Sequence, residues 1–329
     1  MLAMRNFADR VLDAFDKVAN PTCIGLDPRI ADIPDYLKKE AMDKYSDDGF
    51  EAVGHAILEF NKGIIDATCD KVKLYKPNLG FYIGYGKAGI EAYARTFEYL
   101  HWKGAIGISD AKANDIGDTA VGYAEGIMGT LELCDGTHAQ SPINADAVTV
   151  PPYIGTDCIQ PFLDVCKRFG KGIFVLAKTS NPSSGELQDM RLAEVHGGRT
   201  IFEHMAWKVN TWGKDLKGKR GYSAVGAVVG APYPEQAKRC REIMEDALIL
   251  VPGYGSQGGT ARDCMHSFHD DGTGAVINNA RNIMFNWQKL IDGKRAYKEE
   301  EFGKASSDAT EAMAKDLTAA LKEAGKLRW

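Results

Sequence analysis

The chain has 329 residues, 44% of them hydrophobic and 26% charged, so it is long enough to bury a large core and too apolar to remain disordered. Forty Lys plus Arg against 45 Asp plus Glu leave a formal charge of -5, which gives no overall positive field to attract nucleic acid or anionic lipid. No run approaches the roughly 18 uninterrupted apolar residues of a membrane span, Arg5, Asp9, Arg10 and Asp13 break Met1 to Phe15 as a signal core, and the seven scattered Cys, never spaced C-x-x-C, read as reduced thiols of a cytoplasmic protein.

Eight β-rich runs follow in chain order: Thr22 to Leu26, Val72 to Lys76, Ala105 to Asp110, Ala147 to Val150, Gly172 to Lys178, Ala224 to Val229, Ala247 to Val251, and Gly274 to Ile277. Most are continuously apolar, as parallel strands covered on both faces must be. Helical patterns separate them, at Ala52 to Thr68, Gly89 to Trp102, Asp115 to Met128, Asp157 to Phe169, Phe202 to Trp212 and Pro234 to Glu245. Eight βα units predict an α/β fold, a closed (β/α)₈ TIM barrel, in preference to an open sheet of five or six strands. We expect one barrel domain over residues 1–329, with insertions after strand one (Arg29 to Lys71) and strand five (Ser180 to Ser223) and a terminal helix from Ser306 to Ala324. The basic run Lys214, Lys217, Lys219 and Arg220 reads as a solvated part of the second insertion.

In such a barrel the reactive side chains emerge at the C-terminal strand ends. These ends are rich in charge: Asp27 after strand one, Lys76-Pro77-Asn78 at strand two, and Asp110-Ala111-Lys112-Ala113-Asn114-Asp115 at strand three. A period of two carries Ile106, Ile108, Asp110 and Lys112 on one inward face, which predicts Asp110 and Lys112 as neighbours in the mouth. Lone charges there are costly to desolvate, so alternating Lys and Asp make sense as a mutually neutralising array.

The glycine-rich segment Val251-Pro252-Gly253-Tyr254-Gly255-Ser256-Gln257-Gly258-Gly259 and Asn279-Ala280-Arg281-Asn282 follow strands seven and eight, the usual phosphate site of a barrel. Arg281 would supply a bidentate clamp. Of two G-x-G-x-x-G matches, Gly253 to Gly258 has Asn278 and Asn279 rather than an acid about twenty residues on, whereas Gly84 to Gly89, with Asp110 near the right distance, keeps a nicotinamide dehydrogenase open as a rival. Cys264, His266 and His269 with Asp263, Asp270 and Asp271 fit no familiar zinc spacing and read as a surface cluster.

These motifs together resemble the orotidine 5′-phosphate decarboxylase family, in its longer form, across all eight strands in order. The resemblance implies conversion of orotidine 5′-monophosphate to UMP and CO2 in pyrimidine biosynthesis, with neither metal nor organic cofactor. It implies Lys76, Asp110, Lys112 and Asp115 as the catalytic array, with Lys112 protonating the C6 carbanion. It further implies substrate contacts from Asp27, Asn78, Thr119, Thr179, Ser180, Pro252, Gln257 and Arg281, with Thr179 and Ser180 matched to the pyrimidine. A homodimer is implied too, in which Asp115 and Thr119 serve the other subunit's site. Metal-dependent sugar-phosphate decarboxylases or aldolases share the barrel and the D-x-K-x-x-D element, but usually place an acid where Lys76 stands. A non-catalytic nucleotide-binding barrel is the remaining alternative, and the intact Lys112 argues against it.

Overall fold

A computed structural model describes residues 4–255 and 257–329; Met1 to Ala3 at the head of the N-terminal segment, and Ser256 in the strand-seven loop, lie outside the described residues. Eight parallel strands close into a barrel: β1 (Thr22–Leu26), β2 (Leu74–Pro77), β3 (Ile106–Ser109), β4 (Ala147–Val150), β5 (Gly172–Lys178), β6 (Ser223–Val229), β7 (Ala247–Val251) and β8 (Ala275–Asn279). Each pairs with its neighbour in sequence, and β8 closes on β1 through Thr22 opposite Ile277 and Ile24 opposite Asn279. The apolar runs are buried almost throughout, because the ring has an inner core and an outer coat of helices.

Three strands differ from expectation in instructive ways. β2 starts two residues late, since the Val72 amide still donates to the Thr68 carbonyl at the end of the preceding helix. β8 runs on through Asn278 and Asn279, residues with poor strand propensity that are held there by pairing with Cys23 and Ile24. β3 stops at Ser109. Asp110 makes only a bridge to Asn78, and Lys112 sits at φ 47°, so the chain bends into the mouth rather than continuing the strand alternation.

The helical coat comprises α1 (Phe7–Val18), α2 (Asp35–Lys44), α3 (Gly49–Thr68), α4 (Gly86–Trp102), α5 (Gly117–Met128), α6 (Thr156–Phe169), α7 (Ile201–Gly213), α8 (Pro234–Ile243) and α9 (Phe302–Glu323). Asn6 caps α1 by accepting from the Ala8 amide, and Phe7 meets Phe174 edge-on at 5.8 Å, tying the helix to β5. The first insertion holds α2, packed outside α3. In the basic run of the second insertion Lys214, Lys217 and Lys219 are exposed, as expected, yet the segment is also tied down: Arg220 pairs with Asp13 and Asp16, Lys217 with Asp246, and Asp9 accepts from the Lys219 and Arg220 amides. Two short hairpins, Thr130–Glu132 with His138–Gln140 and Leu290–Ile291 with Lys294–Arg295, add to the predicted elements. The first turns at Asp135-Gly136, a strong turn pair flanked by strands too short to show periodicity.

Candidate active site

A cavity of about 230 Å³ opens at the C-terminal end of the strands. Its floor is an ionic triad. Lys76 donates to Oδ2 of Asp110 at 2.5 Å, and Lys112 donates to Oδ1 of the same carboxylate at 2.5 Å. The Thr149 hydroxyl donates to Oδ1 as well, at 3.0 Å, and accepts from the Lys112 amide at 3.0 Å, fixing the left-handed bend beneath the lysine. Sequence reasoning missed Thr149, although it is the single polar residue in the apolar β4 run and stands one position before the strand's end.

Burial opposes ionisation of Asp110, but the two ammonium groups outweigh it and hold its carboxyl well below the usual range. Burial likewise disfavours the Lys76 ammonium, yet Asp110 and Asp27 overcome that and hold the amine above its ordinary value. Asp27 behaves oppositely: desolvation dominates and raises its carboxyl despite the nearby Lys76. Lys76 is sealed in, with 6% of its side chain exposed, whereas Lys112 is 50% exposed and faces the opening. One lysine is therefore fixed structure and the other is free to meet a ligand.

The opposite wall is built from the loops after β7 and β8. Pro252, Gln257 and Arg281 all line the cavity, Arg281 at the head of the short helix Arg281–Met284. Gly255 at φ 73° lets the first loop pass so close to the second that a Cβ there would lie 2.4 Å from Nδ2 of Asn282. Tyr254 pegs the loop to α9 by donating to Asp316 at 2.7 Å. Tyr254, Asn278 and Asn279 also line the cavity; the sequence pointed to their segments but gave these side chains no role of their own. Oδ1 of Asp27, Asn278 and Asn279 are buried without a protein partner, a set of acceptors suited to a ligand with hydroxyl or N–H donors.

Among the predicted residues, Asp27, Lys76, Asn78, Asp110, Lys112, Thr179, Ser180, Pro252, Gln257 and Arg281 surround this one cavity. Asp115 and Thr119 do not. Asp115 instead accepts from the Ile116 amide at 2.7 Å, at the head of α5, and Thr119 stands exposed on the first turn of that helix. The single chain thus brings three of the four array charges into its own mouth. The cluster near Cys264 assembles nothing comparable: Cys264 is buried, His269 lies against Arg241 and the Glu245 carbonyl, and no group of three metal-ligating side chains occurs among the described residues. The Gly84 to Gly89 match falls on a 3₁₀ turn and the start of α4, away from the cavity lining.

With the site in view, the likeness to known proteins is specific. The matching family model, that of orotidine 5′-phosphate decarboxylase / HUMPS, spans residues 21–286, from the threshold of β1 to beyond β8. The chain belongs to that family. The orotidine 5′-phosphate decarboxylase of Rhodopirellula baltica is 39% identical over 306 residues, covering 93% of this chain and 94% of that one. The enzyme of the same name from Caldicellulosiruptor saccharolyticus is 36% identical over 318 residues, covering 97% of this chain and 100% of the relative. The structure of Leishmania donovani OMP decarboxylase superposes with a TM-score of 0.69 at 26% identity, covering 96% of this chain and 98% of that one. The two sequence relatives match along nearly the whole chain and the Leishmania donovani structure shares its fold, so the rivalry with a nicotinamide dehydrogenase ends here.

Proposed function

We propose that this chain decarboxylates orotidine 5′-monophosphate to UMP and CO2, a step of pyrimidine biosynthesis. The observation that carries the reading is the carboxylate of Asp110 held between two ammonium groups at the floor of a cavity whose far wall is a glycine-rich loop and an arginine. The phosphate binds at that wall, against Arg281 and the loop of Pro252 and Gln257. The ribose hydroxyls meet Asp27 and Asn78, and the pyrimidine lies toward Thr179 and Ser180. C6 is thereby brought to the Lys112 ammonium. The bond from C6 to the carboxylate breaks, CO2 leaves, and the electron pair left on C6 takes a proton from Lys112, which is recharged from water.

The chemical difficulty is an electron pair on a carbon that ring resonance does not reach. A cation already placed beside C6 stabilises that charge as it develops, with no reorganisation during the step. Asp110 serves by holding Lys112 in place while Lys76 fixes Asp110 from behind. Contacts at the phosphate lie far from C6, and their binding energy orders the site around the reacting carbon.

The resemblance sets the metal-dependent sugar-phosphate relatives apart by an acid, their metal ligand, where Lys76 stands. Here the positions flanking Asp110 are filled by two ammonium groups, and a divalent cation next to them would meet strong repulsion. We read the working unit as a cytoplasmic homodimer. Ile116, Val121 and Tyr123 around α5, with Tyr153 and Ile154 after β4, expose apolar area beside Asp115 and Thr119. A second copy covering that face would carry those two residues to its partner's cavity and complete the array. All seven cysteines are free thiols, which suits a reducing compartment. The test is UMP formation from orotidine 5′-monophosphate with and without chelator: undiminished turnover in chelator is expected, and activity that needs added Mg²⁺ overturns the reading.

A further inference from the structure

β5 ends in a lysine shut away from water. The Lys178 side chain is 0% exposed, and its ammonium donates to both carboxylate oxygens of Asp189, at 2.8 and 2.9 Å, while lying 4.5 Å from the centre of the Tyr233 ring. A buried ammonium is costly unless paired, so the short helix Gly185–Gln188, which ends at Asp189, is obliged to sit on the end of β5. That seating delivers the neighbouring side chain to the cavity wall. Oε1 of Gln188 accepts from the Thr179 amide at 2.9 Å, and its Nε2 donates to the Thr179 hydroxyl at 2.8 Å. The same hydroxyl donates to Oδ1 of Asn181 at 2.6 Å, so its hydrogen is committed inside the insertion and one acceptor lone pair is left for the cavity.

We infer that Gln188 is a positioning residue for the base-facing wall, setting where Thr179 and Ser180 present themselves to the pyrimidine. The inference rests on the reading of those two residues as pyrimidine contacts. The Lys178 carbonyl is fixed from β6 by the Gly230 amide at 2.9 Å, and a Cβ on Gly230 would lie 2.7 Å from the Ser180 Cα. The backbone of residues 178–180 is thus wedged against β6 on one side, and Gln188 supplies the restraint on the other. Removing it frees the Thr179 amide and leaves the hydroxyl held by Asn181 alone, and the wall loses definition without any change at the triad or the phosphate loop.

The role predicts a loss confined to ligands that carry a base. Gln188→Met keeps the volume of this half-buried side chain and deletes both hydrogen bonds. We expect it to weaken UMP binding about tenfold, the consequence of about one lost net hydrogen bond, while ribose 5-phosphate binds within about twofold of wild type. Gln188→Leu provides the same measurement if the methionine variant does not yield folded protein. Equal weakening of the two ligands, or unchanged UMP affinity, overturns the positioning role in an enzyme whose wild type produces UMP from orotidine 5′-monophosphate. A wild type that produces none overturns the decarboxylase reading and this inference with it.

Discussion

The ammonium nitrogen of Lys76 lies 2.5 Å from Oδ2 of Asp110, with only 6% and 10% of the two side chains exposed. Such a pair is costly to assemble and more costly to break, because removing one member strands the other's charge in a dry site. Lys76→Ala should therefore destabilise the fold by about 3 kcal/mol, read from urea unfolding. The double variant Lys76→Ala with Asp110→Ala should recover part of that loss. A double variant that is merely the sum of the singles would show that the two charges do not stabilise each other.

The three buried charges give the stability profile its shape with pH. Ionised Asp110 has a depressed pKa in the fold, so its contribution is full above the ordinary value of 3.8 and is lost as pH falls through the lowered one. Lys76 is raised, so its contribution is full below 10.5 and disappears as pH climbs past the raised value. Asp27 has the opposite sign: burial raises its pKa, and stability falls as pH rises from 3.8 through that higher value. Asp27→Asn should accordingly melt at a higher temperature than wild type at about pH 7 while binding UMP more weakly, the gap in Tm narrowing toward about pH 4. A variant no more stable than wild type at neutral pH would refute the desolvation account of Asp27.

Lys112 is the exposed member of the triad, and the cost of deleting it should fall on the chemical step. Lys112→Ala is expected to lower kcat by about a thousandfold or more, with UMP affinity retained within about tenfold. Near-normal turnover would assign the proton to another donor.

Arg281 lines the cavity from the loop after β8, on the wall proposed to hold the phosphate. Arg281→Ala should reduce kcat/KM for the phosphorylated substrate by about a hundredfold, the worth of a lost bidentate clamp. Orotidine lacking the phosphate, turned over very slowly, should be affected hardly at all. Equal losses on both substrates would make the residue structural.

Asp115 lies outside its own chain's cavity, which makes subunit mixing decisive. In the proposed homodimer, the Lys112→Ala and Asp115→Asn variants should each be nearly inactive alone. After exchange of subunits, half the dimers are mixed and one of their two sites is whole, so about a quarter of wild-type activity should return. Mixed dimers, verified by mass, that recover no activity would place Asp115 in its own subunit's chemistry.

The amino-acid sequence alone determined the barrel, because a parallel strand buried on both faces has to be apolar, and eight such runs separated by helical periodicity leave few other ways to close. The residues of the mouth were legible for a related reason: charges at the ends of apolar strands are conspicuous, and Lys76, Asp110 and Lys112 do meet there. What the tertiary structure decided was how they meet. Lys112 reaches Asp110 through a left-handed bend secured by Thr149, a contact across 37 residues that no local pattern reports. Asn278 and Asn279 belong to β8 only because β1 pairs with them, a choice that overrides their own propensity. The division of labour between a sealed Lys76 and an open Lys112 is likewise invisible in two identical side chains, since desolvation depends on the neighbours that close around each ammonium and not on the residue itself.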